Sequence, residues 1–295
     1  MNNTGLHIKR LCLIGVGLIG GSLVRALRRA DAVDEIVGCG RSRASLETAR
    51  ELGVIDHIEP DPAKAVAGAD VVVIAVPLGA MQNIFTAIAP ALAADTLLTD
   101  VGSAKASVVA AAKKAFGELP AGFVPGHPIA GTEKSGVQAS FAELFEGRRV
   151  ILTPTAQSSA SAIAHTRALW QACGAEVVEM DISHHDEVLA ATSHLPHMLA
   201  YSLVDMLARR EDSQEIFDYA AGGFRDFSRI ASSDPTMWHD ITLANREALA
   251  SLLEQFSMDL QKLAAAAREG DSDYLRNIFT RAKQARDRYE IKDTR

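Results

Sequence analysis

Short β-branched runs alternate with longer helical patterns as far as residue 180, a glycine-rich turn joins the first run to the first helix, and from Asp181 onward the pattern is almost purely helical. Together these predict an α/β fold, with an N-terminal Rossmann-type dinucleotide-binding domain over residues 1–180 followed by an all-helical dimerisation domain over 181–295. Residues 11–14, 36–39, 71–76, 96–99, 150–152 and 176–179 read as strands of a parallel sheet. Residues 20–29, 43–52, 80–89 and 104–116 read as crossover helices, and 249–268 and 272–289 as helices on either side of a Gly270-Asp271 break. The apolar faces from Ala200 onward exceed what one small helical domain hides, which predicts a homodimer.

At 295 residues, with 48% hydrophobic and 23% charged content, the chain has a globular composition and room for two cores. Residues 1–9 lack the basic flank, apolar core and cleavage site of a secretory signal. Gly and Pro interrupt the apolar stretches before the roughly 18 residues a membrane span needs. A cytoplasmic location is expected. Cys12, Cys39 and Cys173 are odd in number, far apart and without a CxxC, so they read as small core residues rather than a disulfide framework or zinc site. The net charge of −7 comes with no concentrated basic face, which argues against nucleic acid or a membrane surface as partner. An anionic small molecule remains open, because one Arg at about 4 Å contributes about 4 kcal/mol near a surface while charges beyond about 8 Å are screened.

Gly15-Val16-Gly17-Leu18-Ile19-Gly20-Gly21-Ser22 follows a predicted strand and opens a predicted helix, the context a GxGxxG match requires. The glycines permit a tight turn and close approach of a pyrophosphate to the helix N-terminus. Gly15, Gly17, Leu18, Ile19, Gly20, Val76 and Ser103 form the expected cofactor set. About twenty residues past the last motif glycine, NAD enzymes usually offer a carboxylate to the ribose; this chain has Gly40-Arg41-Ser42-Arg43. Guanidinium and hydroxyl groups suit a 2′-phosphate, so NADP is favoured and NAD possible, with Arg41, Ser42 and Arg43 as contacts. Equally, Arg41 and Arg43 read as solvated residues opening a helix.

Asp100-Val101-Gly102-Ser103-Ala104-Lys105 ends a predicted strand and starts a helix, and Ser103 reads both as helix N-cap and as a site residue. Downstream, Gly126-His127-Pro128-Ile129-Ala130-Gly131-Thr132-Glu133 places an imidazole and a carboxylate on a glycine-flanked loop. Histidine is the side chain that accepts a proton near neutral pH, with an ordinary pKa near 6.5. In the helical part, Ser193-His194-Leu195-Pro196-His197 sets two imidazoles beside a proline that breaks regular hydrogen bonding. No third ligand stands at a convincing spacing, and no metal is expected. Gly223-Phe224-Arg225-Asp226-Phe227-Ser228-Arg229 presents Arg225 and Arg229 on one helical face, and Asp234-Pro235 starts a further helix that brings Trp238 nearby.

These segments, from Leu11 to about Trp238, resemble the prephenate/arogenate dehydrogenase family, also called cyclohexadienyl dehydrogenases. The resemblance implies oxidative decarboxylation of prephenate to 4-hydroxyphenylpyruvate, with arogenate to tyrosine as the related reaction, on a Rossmann domain joined to a helical dimerisation domain. It implies that His127 is the catalytic histidine for the ring hydroxyl and Ser103 its orienting partner. Arg229 takes the place of the arginine that pairs with a substrate carboxylate, and His197 of a second substrate contact. Thr132 and Glu133 would lie at the pocket mouth, with Arg225, Asp226 and Trp238 lining or closing it. The chain ends soon after its helices, which leaves no room for the ACT domain or chorismate mutase fusion of some relatives. Two other readings fit the pattern: a Rossmann-plus-helical dehydrogenase of a small hydroxy acid, and a dinucleotide-binding sensor without turnover.

Overall fold

The structure, a computed structural model, describes residues 6–132 and 134–288. It divides into two compact units, residues 1–245 and 246–295. In the first unit five parallel strands stand in the order β3-β2-β1-β4-β5, with β1 at Ile8–Ile14, β2 at Val33–Cys39, β3 at His57–Ile58, β4 at Val71–Ile74 and β5 at Leu97–Asp100. Helices α1 (Leu18–Arg29), α2 (Arg43–Glu51), the one-turn α3 (Pro62–Ala65), α4 (Leu78–Ile88) and α5 (Lys105–Phe116) intervene or follow. The alternation along β1 shows why both faces of the sheet are covered. Leu11 and Leu13 join a cluster with Leu23 and Leu27 of α1 and Leu46 of α2, whereas Cys12 and Ile14 join another with Phe85 of α4 and Val108 of α5. The three cysteines are buried and free, and burial pushes their thiols up, Cys39 to about 11, which leaves them chemically quiet.

A second sheet continues from the β5 edge, through a bridge between Leu98 and Phe123. In it β6 (Gly126–Pro128) runs antiparallel to β7 (Arg149–Leu152), which runs parallel to β8 (Glu176–Glu179), with α6 (Ala160–Ala172) between β7 and β8. The sheet system is therefore mixed, where the sequence predicts parallel strands throughout. Strand β6 is three residues bounded by Gly and Pro and offers no apolar run to read.

After β8 the chain is helical: α7 (Ile182–Leu189), a π-helical turn at Ala190–His194, α8 (Leu195–Ala208), α9 (Ser213–Asp218), α10 (Gly222–Ser228), a 3-10 turn at Arg229–Ser232 and α11 (Pro235–Ala244). Asp234 caps α11 as expected, accepting from the Met237 amide at 2.8 Å. At Pro196 the helix does not break. Proline has no amide to donate four residues back, and its ring presses on that carbonyl; the wider π turn absorbs both defects. The second unit comprises α12 (Arg246–Glu269) and α13 (Ser272–Arg288), joined at Gly270 (φ 72°), with the Asp271 carboxylate accepting from the Tyr274 amide at 3.0 Å. No helix among the described residues is long and apolar enough to cross a membrane.

Candidate active site

The strand order reverses between β1 and β4, and open α/β sheets bind ligands at the carboxyl edge of such a crevice. Gly15 leaves β1 with φ 99°, and a Cβ there would lie 2.2 Å from the carbonyl oxygen of Ala75, so only glycine closes this turn. Gly20 seats α1 against the turn, since its Cβ would meet the Gly15 carbonyl at 2.5 Å. Gly17 differs. Nothing lies within 4 Å of its Cβ position, and as the residue at the cap position of α1 it supplies no side-chain cap. The opening amides of α1, at Leu18 and Ile19, thus lie at an uncapped positive helix end with space before it, and these residues fit a dinucleotide pyrophosphate. Val76 flanks the crevice, its Cγ1 3.0 Å from the Gly15 Cβ position.

At the end of β2, the Ser42 hydroxyl caps α2 by accepting from the Ser45 amide at 3.2 Å, and Arg43 pairs with Glu47 at 2.8 Å. Arg41 is exposed and has no ion pair among the described residues. A Cβ at Gly40 would meet only Leu46, at 3.6 Å, so space alone does not keep a carboxylate out.

The end of β5 carries a fully buried ion pair, Asp100 with Lys105 at 2.6 Å. Lys105 Nζ also donates to the Gly126 carbonyl at 2.6 Å, and Asp100 accepts from the amides of Gly102 and Gly126 at 2.7 and 3.3 Å. Burial lowers the Lys105 pKa against the opposing pull of Asp100. This pair ties β5 and α5 to the residue just before His127. Ser103 does not cap α5, contrary to expectation. The cap position is Ala104, and the amides of Lys105 and Ala106 instead donate to the two oxygens of Asp186 on α7, at 2.7 and 2.9 Å. The start of α4 is closed in the same way, with the Gly79 amide donating to Asp240 of α11 at 3.0 Å.

His127 lies within β6 rather than on a loop, and it is buried. Its Nδ1 is 2.9 Å from His185 Nε2, and His185 Nδ1 is 2.8 Å from Asp186 Oδ1. Ser103, assigned as the orienting partner of His127, makes no hydrogen bond to it; His185 does. Burial, then the Lys105 charge, then His185 and His194 hold His127 well below 6.5, which corrects the ordinary pKa expected from sequence. Burial opposes ionisation of Asp186, but the His185 hydrogen bond and the two α5 amides outweigh it and hold the carboxyl below its usual range.

His194 ends the π turn, buried, with Nδ1 3.2 Å from Asn245 Nδ2, which also donates to the Asp186 carbonyl at 2.8 Å. Burial brings its pKa to about 4. The Trp238 indole meets His194 edge-on, centroids 6.1 Å apart, and stacks on His197 at 3.7 Å. His197 Nδ1 donates to the Ser193 carbonyl at 2.8 Å. Burial lowers its pKa, partly offset by that hydrogen bond, and the Arg229 charge lowers it further. Ring contacts therefore join His194, Trp238 and His197 into one cluster, whose charge environment reaches His127 on one side and Arg229 on the other.

Arg229 lies beyond α10, in the 3-10 turn, not on an α-helical face shared with Arg225. Arg225 and Asp226 are exposed on α10, and the Thr132 hydroxyl accepts from the Lys134 amide at 3.2 Å. No hydrogen bond, ion pair or ring contact among the described residues joins these three, or the Arg229 side chain, to that cluster. Glu133 lies outside the described residues. Among the described residues no group of three or more His, Cys, Asp or Glu is placed to share a metal ion. The sequence reading passed over His185, Asp186 and Asn245. A signal existed for the first two: positions 182, 185, 186 and 189 make the inward stripe of α7, and His and Asp occupy its centre where apolar residues belong.

The chain as a whole is similar to known proteins. The family model for the prephenate dehydrogenase nucleotide-binding domain matches residues 23–179, and that for the prephenate dehydrogenase dimerization domain matches 181–281. A cyclohexadienyl dehydrogenase of Zymomonas mobilis is 43% identical over 282 residues, covering 94% of this chain and 95% of its own. The crystal structure of Aquifex aeolicus prephenate dehydrogenase, in complex with hydroxyphenyl propionate and NAD+, superposes with a TM-score of 0.86 at 36% identity, over 95% of this chain and 99% of that one. Synechocystis arogenate dehydrogenase superposes with a TM-score of 0.78 at 26% identity, with the same coverages.

Proposed function

Starting from the prephenate dehydrogenase family, to which this chain belongs, we propose that it catalyses the NAD(P)-linked oxidative decarboxylation of prephenate, with arogenate as the related substrate, using His127 as base and Arg229 as carboxylate clamp. The observation that carries the roles is a buried imidazole at the edge of the sheet, held below its ordinary pKa and close enough to feel the charge of His194, whose ring cluster with Trp238 and His197 feels in turn the charge of Arg229. The dinucleotide, when bound, supplies the acceptor for the hydride of ring C4. His127 takes the proton of the C4 hydroxyl, which raises electron density at that carbon. The ring carboxylate leaves as carbon dioxide and aromaticity drives the step, so the protein needs a base, an anion clamp and alignment. Arg229 pairs with the remaining side-chain carboxylate, and His197, held flat against Trp238, offers Nε2 to the same ligand. Ser103, Thr132, Glu133, Arg225 and Asp226 keep their proposed places around it.

The chain works as a homodimer through its helical part. Met206, Leu243, Met258 and Phe279 stand exposed in the single chain, which supports burial against a second copy. Residues 1–180 are proposed as the dinucleotide-binding domain and 181–295 as the substrate and dimerisation domain, in a cytoplasmic enzyme. NADP is proposed to serve at least as well as NAD, because Arg41 is left over once Arg43 has paired with Glu47 and Ser42 has capped α2.

The deciding assay follows reduced nicotinamide with prephenate and with arogenate, each with NAD and with NADP. His127→Asn is expected to lower kcat by about 10²–10⁴ with dinucleotide affinity intact; a variant retaining more than half of wild-type kcat overturns the base assignment. Gly40→Asp, for which there is room, is expected to cut kcat/KM for NADP by about ten- to a hundredfold, the scale of one charge-assisted pair. An unchanged NADP value overturns the cofactor reading.

A further inference from the structure

Neither dinucleotide binding nor substrate recognition uses His185, yet it is fully buried at the back of His127. The proton positions along this line follow from its last member. Asp186 is held ionised and accepts only; Oδ1 takes the Lys105 amide and Oδ2 the Ala106 amide. Its 2.8 Å contact to His185 Nδ1 therefore places a proton on that nitrogen. Asp100 pairs with the Lys105 ammonium, and the Asp186 carboxylate is shared between two α5 amides and His185 Nδ1–H. With its proton on Nδ1, His185 turns the lone pair of Nε2 toward His127, and the 2.9 Å contact then takes a proton from His127 Nδ1.

We infer that His185, braced by Asp186, is a positioning residue that holds His127 in the Nδ1–H tautomer, so that Nε2 presents the lone pair that takes the substrate proton. The inference rests on His127 being the base. In the step itself the hydroxyl O–H bond breaks and an Nε2–H bond forms. The Nδ1–H donated to His185 stays in place, and the resulting imidazolium faces Asp186 through the His185 ring. The opposite arrangement, with His185 donating from Nε2, leaves the proton of a neutral His127 on Nε2 and deprives the site of a base.

The test has two parts. In full-length wild-type protein labelled with ¹⁵N-histidine, with His127 assigned by comparison with His127→Asn, the His127 signals above its lowered pKa are expected to show a protonated Nδ1 and a bare Nε2. The reverse pattern overturns the inference, and this reading needs no variant of His185. In the kinetic arm, His185→Gln can place an amide oxygen where Nε2 stood and still accept from His127, whereas His185→Leu fills the space without an acceptor. His185→Leu is expected to lose about a hundredfold or more in kcat with KM for prephenate nearly unchanged, and His185→Gln to recover at least about tenfold of that. A His185→Leu enzyme with more than half of wild-type kcat overturns the inference. If His127→Asn is inactive while His185→Leu is active, only the positioning role falls; if His127→Asn stays active, the base assignment falls first.

Discussion

Helices α1 and α5 both begin at the carboxyl edge of the same sheet, and they begin in opposite ways. Helix α1 starts at Gly17 with no side-chain cap and nothing near the glycine. Helix α5 also lacks a cap of its own, but Asp186 from α7 takes its first two amides. Helix α4 follows α5, closed by Asp240 from α11. An open positive end attracts a ligand anion, whereas an end closed by a buried carboxylate serves as a fixed point. Here that fixed point holds Lys105 beneath the residue before His127 and His185 behind its ring. One edge thus divides its helix ends between binding and alignment.

The largest effect is expected on the closed side. Lys105→Met strands the Asp100 carboxylate in the core, and losing one partner of a buried pair costs about 3–5 kcal/mol, measurable by urea unfolding. A loss below about 1 kcal/mol would show that Asp100 is satisfied by its amides alone. Next in size is the conversion of the open end to a closed one. Gly17→Asp has the space it needs, and its carboxylate can cap α1 as Asp186 caps α5. Folding stability should hold or rise slightly. Repulsion of about 4 kcal/mol between unit charges about 4 Å apart near a surface sets the scale for the pyrophosphate, so dinucleotide affinity by titration calorimetry should fall by about a hundredfold or more. Undiminished affinity would place the phosphates elsewhere.

The closed region also carries a pH signature. His127 and His194 are both held below their unfolded value near 6.5, so the unfolded chain binds protons that the folded one refuses. Stability is then full above about pH 6.5 and falls as pH drops toward 4, each imidazole contributing up to about 1.4 kcal/mol per pH unit. The acid limb of kcat/KM should likewise lie below 6.5, and a limb at 6.5 or above would contradict the burial of the base. The smallest change is expected at α4: Asp240→Ala removes one cap, worth about 1 kcal/mol in thermal unfolding, with kcat unchanged.

What could be read in advance follows the same division. The open end is local, its Gly15, Gly17 and Gly20 lying within six consecutive residues beside an apolar strand, so turn, crevice and ligand class were legible together. Strands β1, β2, β4 and β5 were legible because residues 11–14, 36–39, 71–74 and 97–98 form short runs without a charged side chain, buried on both faces. The closed end is non-local. Asp186 reaches an amide 81 residues away, and nothing near Ser103 announces that its helix is capped from α7. Strand β6 escaped because His127 is held there by pairing with β7 rather than by propensity. His197, Trp238 and Arg229 were found through the family resemblance; the stacking of His197 on Trp238 was not predictable from spacing.

The π turn at Ala190–His194 has a consequence for chain length. His185 and His194 are nine residues apart, two and a half turns of α-helix at about 100° per residue, which would put them on opposite sides of the rod. The wider turn takes up extra chain in one revolution and rotates everything after it back toward the first histidine, close enough for His185 to act on His194. The turn works as a phase shift. The same residues wound as regular α-helix through 190–194 would keep a continuous helix and the same sheet, yet His197 would stand about a quarter of a turn from the Trp238 face it now stacks on. For this segment, the winding of the chain between the imidazoles constrains the active site as strictly as their identities do.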